Sequence, residues 1–178
     1  KVPTIDKAIV ENGADVDVND AAINDVVSYK IEVVKQAGAK NYTVIDTLSS
    51  GLTYNNDAKI SLHDSEPATI TPNIAGNVLT FDINGEDTIL DGQIITITYT
   101  ATVNKGAVID GANENKAVLK YGNDANKLFS TEESKVNTYV WAFDILKHNS
   151  SNAPLANAKF ELYTGYNTQT KAYTGKIE

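Results

Sequence analysis

Three polar residues stand where a β-strand's two-residue alternation calls for apolar ones. Ile5, Lys7 and Ile9 project to one side of an extended segment. Val44, Asp46 and Leu48 share one side of another, and Asn115 leads Ala117, Leu119 and Tyr121 on a third. A lysine, an aspartate and an asparagine are thus in line with core positions. Burying a lone charge is costly, so a shared apolar site disfavours both the ammonium and the carboxylate. A neutral lysine amine is a nucleophile. The side-chain carbonyl of Asn115 is an electrophile, and a protonated Asp46 could donate to its oxygen and then pass protons to departing ammonia. Held together by a fold, the three would have the proximity that amide exchange needs. The product would be a Lys7–Asn115 side-chain isopeptide bond, made once per molecule without a cofactor. The ordinary alternative leaves Lys7 on a frayed first strand with its amine in water, and Asp46 and Asn115 as turn or strand-end residues.

The elements that would position these groups are strands. The clearest runs over residues 94–103, with Ile95, Ile97, Tyr99, Ala101 and Val103 on one face and threonines on the other. Similar patterns are predicted at 26–34, 42–48, 59–62, 78–83, 116–121, 138–146 and 158–163. Turn signals punctuate them: Asn12-Gly13, Ser50-Gly51, Asn84-Gly85, Asp91-Gly92 and Gly122-Asn123. The polar stretch 125–136 reads as a long loop or an irregular strand. Many short strands with such turns indicate an all-β, Ig-like antiparallel β-sandwich. A domain boundary is expected near Thr138, with one complete sandwich over 1–137. Residues 138–178 are too few for a second disulfide-free sandwich and read as the opening strands of an incomplete one.

Composition narrows the chemistry. The 178 residues contain no cysteine or methionine and only two histidines, His63 and His148. Disulfides, thiolate catalysis and Cys- or His-based metal sites are excluded or lack parts. No cofactor and no metal is expected, and a hydrolase would lack a Ser-His-Asp constellation. With 15 basic and 23 acidic residues the formal charge is −8, which disfavours nucleic acid and anionic membrane as partners. Asp15-Val16-Asp17-Val18-Asn19-Asp20 has the alternating acids of a calcium loop but lacks its glycine and its final glutamate, so it reads as a solvated acidic loop. Neither end looks like a natural terminus, and the chain is expected to be a fragment of a mature protein.

The same residues carry a family likeness. Ile5-Asp6-Lys7, the stretch 24–31 (Asn-Asp-Val-Val-Ser-Tyr-Lys-Ile), the stretch 44–54 around Asp46-Thr47-Leu48, the run 97–104, and Asn115-Lys116-Ala117-Val118-Leu119-Lys120-Tyr121 follow in order. Together they resemble the fimbrial isopeptide-forming (CnaA-like) domain of Gram-positive backbone pilins, over residues 1–137. After it, 141–147 (Trp-Ala-Phe-Asp-Ile-Leu-Lys) and 154–163 (Pro-Leu-Ala-Asn-Ala-Lys-Phe-Glu-Leu-Tyr) look like the opening strands of a CnaB-type domain. The resemblance implies a pilus shaft subunit: extracellular, in the cell wall or fimbrium, and joined to other pilins by sortase. It would not be an enzyme beyond one self-directed turnover. A stalk or ligand-binding region of a cell-wall adhesin, facing host surface ligands, is the alternative.

By that resemblance Lys7 and Asn115 are the crosslinked pair and Asp46 the promoting acid. Asp25 is the rival acid, because it heads the face of Val27, Tyr29, Ile31 and Val33. Lys147, which shares a face with Phe143 and Ile145, would be a second crosslinking lysine with its partner beyond Glu178.

Overall fold

A computed structural model describes residues 2–142 and 145–177. The chain divides into two compact units, Lys1–Ala142 and Phe143–Glu178. Its strands, in order, are β1 (Thr4–Glu11), β2 (Ala14–Val16), β3 (Val18–Asp20), β4 (Val26–Val34), β5 (Thr43–Leu48) and β6 (Leu52–Tyr54). They continue with β7 (Lys59–Leu62), β8 (Ala68–Thr69), β9 (Asn73–Ala75), β10 (Val78–Asp82) and β11 (Ile94–Val103). The remainder are β12 (Gly111–Asp124), β13 (Lys127–Ser130), β14 (Ser134–Val140), β15 (Leu162–Asn167) and β16 (Ala172–Ile177). Among the described residues no helix is long and apolar enough to cross a membrane.

The first unit is built from two facing sheets. One has the order β2-β1-β4-β11-β7-β8, with β6 also paired to β11. The other has the order β3-β14-β12-β5-β10-β9, with β13 added to β12. Among the described strands, pairing is antiparallel except between β3 and β14. The core follows from alternation: Val27, Tyr29, Ile31 and Val33 of β4 and Ile95, Ile97, Tyr99, Ala101 and Val103 of β11 are buried. Between them along each strand, polar side chains such as Lys30, Glu32 and Thr98 are turned outward, as a half-buried sheet requires. From the second sheet Val44, Leu48, Leu79, Phe81, Ala117 and Leu119 complete the same core.

The first unit runs to Ala142, beyond the boundary expected near Thr138, because β14 is an interior strand of the second sheet. Val136, Thr138 and Val140 are buried there, and β14 pairs with β12 from Gly111↔Val140 to Ala117↔Ser134. The strand expected over 138–146 ends at Val140, and Ile145 and Leu146 stand exposed outside any strand. Alternation marks extended chain, but a strand exists only where a neighbour takes up its backbone groups.

Among its described residues the second unit contains one hairpin, β15–β16, in register from Leu162↔Ile177 to Asn167↔Ala172. The strand expected at 158–163 therefore begins only at Leu162. Tyr163 and Tyr166 both pack on Tyr173 across this hairpin. Upstream, Asn149 Oδ1 accepts from the amides of Ser151 and Ala153, closing a tight turn.

Candidate functional site

Lys7 lies in β1, opposite Ile31 of β4, and is flanked on its own face by Ile5 and Ile9. Asp46 lies in β5 between Leu79 and Ala117 on the neighbouring strands. Asn115 lies in β12 between Leu48 and Val136. β5 and β12 are adjacent, so the acid and the amide rise from the second sheet toward the lysine of the first. Half of β1 has no strand on its outer side, and the Lys7 amide there donates to Ser134 Oγ at 2.8 Å. That bond ties the edge of the first sheet to β14 of the second and fixes the backbone from which the lysine enters.

The three side chains are sealed. Lys7 is 1% exposed, and Asp46 and Asn115 are fully buried. The lysine does not reach water. Its Nζ donates to both carboxylate oxygens of Asp46, at 2.9 and 2.8 Å. A third donation goes to the Tyr99 hydroxyl at 3.0 Å. The Tyr99 hydroxyl donates in turn to Asp46 Oδ2 at 2.5 Å and accepts from Asn115 Nδ2 at 2.6 Å. Because Tyr99 gives its one proton to Asp46, its oxygen faces Asn115 as an acceptor, and the amide must turn its nitrogen toward it.

Sequence reasoning treated Tyr99 only as a core residue. The available signal was its hydroxyl: a buried tyrosine in a run of aliphatic side chains needs a polar partner. Tyr29, paired with Tyr99 across β4 and β11, stacks on it with ring centroids 5.3 Å apart. The Lys7 ammonium sits over both rings, 5.1 and 5.0 Å from their centroids.

Two polar atoms of the chamber have no hydrogen-bond partner among the described residues. Asn115 Oδ1 and the Tyr29 hydroxyl are buried without a hydrogen bond, although Tyr29 lies beside Asn115 and Thr138. Asp46 was expected to donate directly to the Asn115 carbonyl. Instead, its oxygens are taken by Lys7 and Tyr99, and it reaches the amide through the Tyr99 hydroxyl.

Burial is the largest influence on Lys7 and lowers its pKa, with the Asp46 charge and hydrogen bond acting against it. Burial likewise pushes Tyr99 well above the ordinary phenol value, helped by the Asp46 charge. Tyr29 is raised to about 12, mainly by burial.

The remaining sequence candidates lie elsewhere. Asp25 is exposed, and its carboxylate accepts from the Ala22 amide in the turn before β4. Lys147 is exposed in the second unit. Phe143, which was read as sharing its face, lies outside the described residues. In the acidic loop, Asp15 pairs with Lys30, and Asp20 accepts from the Trp141 indole at 2.8 Å.

No protein-family model matches the sequence, and no curated protein matches it. Solved structures do match. BcpA, the major pilin subunit of Bacillus cereus, superposes with TM-score 0.64 at 19% identity, over 78% of this chain and 40% of that one. The 35 kDa C-terminal fragment of the major pilin GBS80 of Streptococcus agalactiae gives 0.65 at 18% identity, over 86% and 61%. The pilus backbone protein RrgB of Streptococcus pneumoniae gives 0.58 at 18% identity, over 99% and 44%. The shared property is the fold, that of the β-sandwich domains of these pilins, and this chain spans less than two thirds of each of them.

Proposed function

We propose that this chain is a load-bearing module of a cell-surface pilus shaft, in which Lys7 and Asn115 join in a side-chain isopeptide bond promoted by Asp46. The observation that carries the reading is the sealed chamber. An amine, a carboxyl and a carboxamide from three strands of two sheets meet there in hydrogen-bonded order. Support also comes from the fold shared with major pilins, and from a composition without cysteine that leaves no other side-chain crosslink of the usual kind.

The structural alternative, a buried ion pair serving stability alone, is a poor use of these residues. Desolvating both charges costs about as much as their attraction returns, and an apolar pair of similar volume would serve as well. The amine and the amide nitrogen meet at one hydroxyl, that of Tyr99, 3.0 and 2.6 Å away. Proton transfer from Lys7 to Asp46 leaves a neutral amine. Its lone pair adds to Asn115 Cγ, forming the Nζ–Cγ bond, and collapse of the adduct breaks Cγ–Nδ2. After that transfer a second proton leaves Nζ and one arrives on Nδ2, so ammonia departs and Asp46 is left holding one proton.

In the full-length protein such modules would be joined through sortase into a fibre in the cell wall. The second unit would belong to a CnaB-type domain in which Lys147 takes the corresponding role. Intact-mass measurement tests the first bond. The chain should weigh one ammonia less than its sequence, and Lys7→Ala or Asn115→Ala should each abolish the deficit. Asp46→Ala should leave both partners unjoined, whereas Asp25→Ala should crosslink normally. A wild-type chain at full sequence mass would end the proposal.

A further inference from the structure

The leaving nitrogen needs a proton, and Asp46 does not touch it. Asn115 Nδ2 has its contact at the Tyr99 hydroxyl, 2.6 Å away, and that hydroxyl is 2.5 Å from Asp46 Oδ2. The same oxygen also takes a hydrogen bond from the attacking Lys7 Nζ at 3.0 Å. Tyr99 therefore stands between the acid, the nucleophile and the leaving group, and it is fixed there by packing. Its ring stacks on Tyr29 and meets Tyr54 edge-on with centroids 5.6 Å apart. It is 2% exposed, so bulk water cannot substitute for it.

Resting on the crosslinking reading above, we infer that Tyr99 is a catalytic residue of bond formation, relaying a proton from the Asp46 carboxyl to the departing Asn115 nitrogen. After Nζ has added to Cγ, the Asp46 O–H proton passes to the Tyr99 oxygen as the Tyr99 O–H proton passes to Nδ2. The Asp46 carboxylate then takes one proton from Nζ. The oxyanion on Oδ1 re-forms the carbonyl, the Cγ–Nδ2 bond breaks, and ammonia leaves. Tyr99 ends as it began, and Asp46 ends protonated, with one of the two protons that Nζ gave up. A tyrosine held this firmly protonated does not compete for the lysine's proton, yet it passes one through without carrying charge between steps.

The test is a time course of intact mass on the full chain made by cell-free synthesis and quenched at intervals. The wild-type chain loses one ammonia; if it never does, the crosslinking reading itself fails. With that loss in place, Tyr99→Phe is expected to fold, as judged by its far-ultraviolet circular dichroism, and to form the bond about 10²-fold more slowly. A folded Tyr99→Phe chain that crosslinks at the wild-type rate overturns the relay while leaving the crosslink standing. If Tyr99→Phe does not fold, Tyr99→3-fluorotyrosine decides the matter. It keeps the ring and the hydroxyl but makes the hydroxyl more acidic, so the rate and its pH profile should shift. An unchanged rate and profile overturns the proposal.

Discussion

Burial and Asp46 act on the Lys7 ammonium in opposite senses, and burial dominates. This is measurable in a chain that cannot crosslink. In Asn115→Ala, Lys7 remains an amine whose pKa in the fold lies below the 10.5 of the unfolded chain. Between those two values the unfolded state binds more protons than the folded one, so stability rises with pH across that window. In the crosslinked chain the same nitrogen is an amide and does not titrate. The urea midpoint of Asn115→Ala should therefore climb toward that of the wild type as pH rises through that window below 10.5.

Above that range both chains should weaken. Tyr29 is held at about 12 against 10.0 when unfolded, so its contribution is complete below 10.0 and lost as pH rises through about 12. A gap between wild type and variant that stays constant or widens below the tyrosine range would contradict the assignment of Lys7. The positions of Lys7, Asp46 and Asn115 were legible because a strand's period of two puts a residue's face in its neighbours' types. The part played by Tyr99 was not, because an aromatic in a β-branched run satisfies the same pattern by packing alone.

At the scale of elements, the site depends on where β5 stops. The turn Ser49-Ser50-Gly51 follows it directly, with the Leu52 amide bonded to the Ser49 carbonyl at 3.1 Å. Gly51 is pressed against the loop before β12: a Cβ there would lie 2.4 Å from Ala107 Cα and 2.5 Å from Asn113 Oδ1. Asn113 in turn holds that loop, accepting from the Val108 amide and donating to the Val108 and Thr138 carbonyls. Two residues on from Asn113 is Asn115, so the close approach at Gly51 lies next to the end of the ladder that pairs the amide-bearing strand with the acid-bearing one.

Gly51→Ala should cost about 1–3 kcal/mol by overpacking and slow crosslinking, seen as a lower melting temperature and a persisting uncrosslinked mass. An unaltered melting temperature would show that the loop yields freely. The long strands were readable in advance from alternation, but the short edge strands β2, β3, β6, β8 and β9 were not. They carry too few residues to show a period. The parallel pairing of β3 with β14 joins Asn137 to Val18, a relation that no local pattern encodes.

For the whole molecule, the consequence of the proposed bond is where force would travel. A pull entering at the N-terminal end reaches Lys7 after a few residues of β1. It crosses to Asn115 and leaves by the rest of β12, then β13 and β14. Residues 8–114, with β2 to β11 entire, close into a loop outside that path. As with a disulfide spanning a similar loop, the restriction of the unfolded chain is worth about 4–5 kcal/mol. The mechanical effect is larger, because hydrogen-bonded strands inside the loop are never loaded.

Single-molecule stretching between the two chain ends should therefore release about 350–390 Å less contour length from the first unit of the wild type than from Asn115→Ala, the span of the shielded residues at full extension. Equal lengths would mean that the loop is not closed. A shorter deficit would place the covalent link at a different pair of strands, since the missing length counts the residues enclosed. The measurement thus locates the bond as well as detecting it. It also connects the proposed bond to the proposed shaft role: a sandwich joined from first strand to twelfth would carry tension with β2 to β11 unloaded.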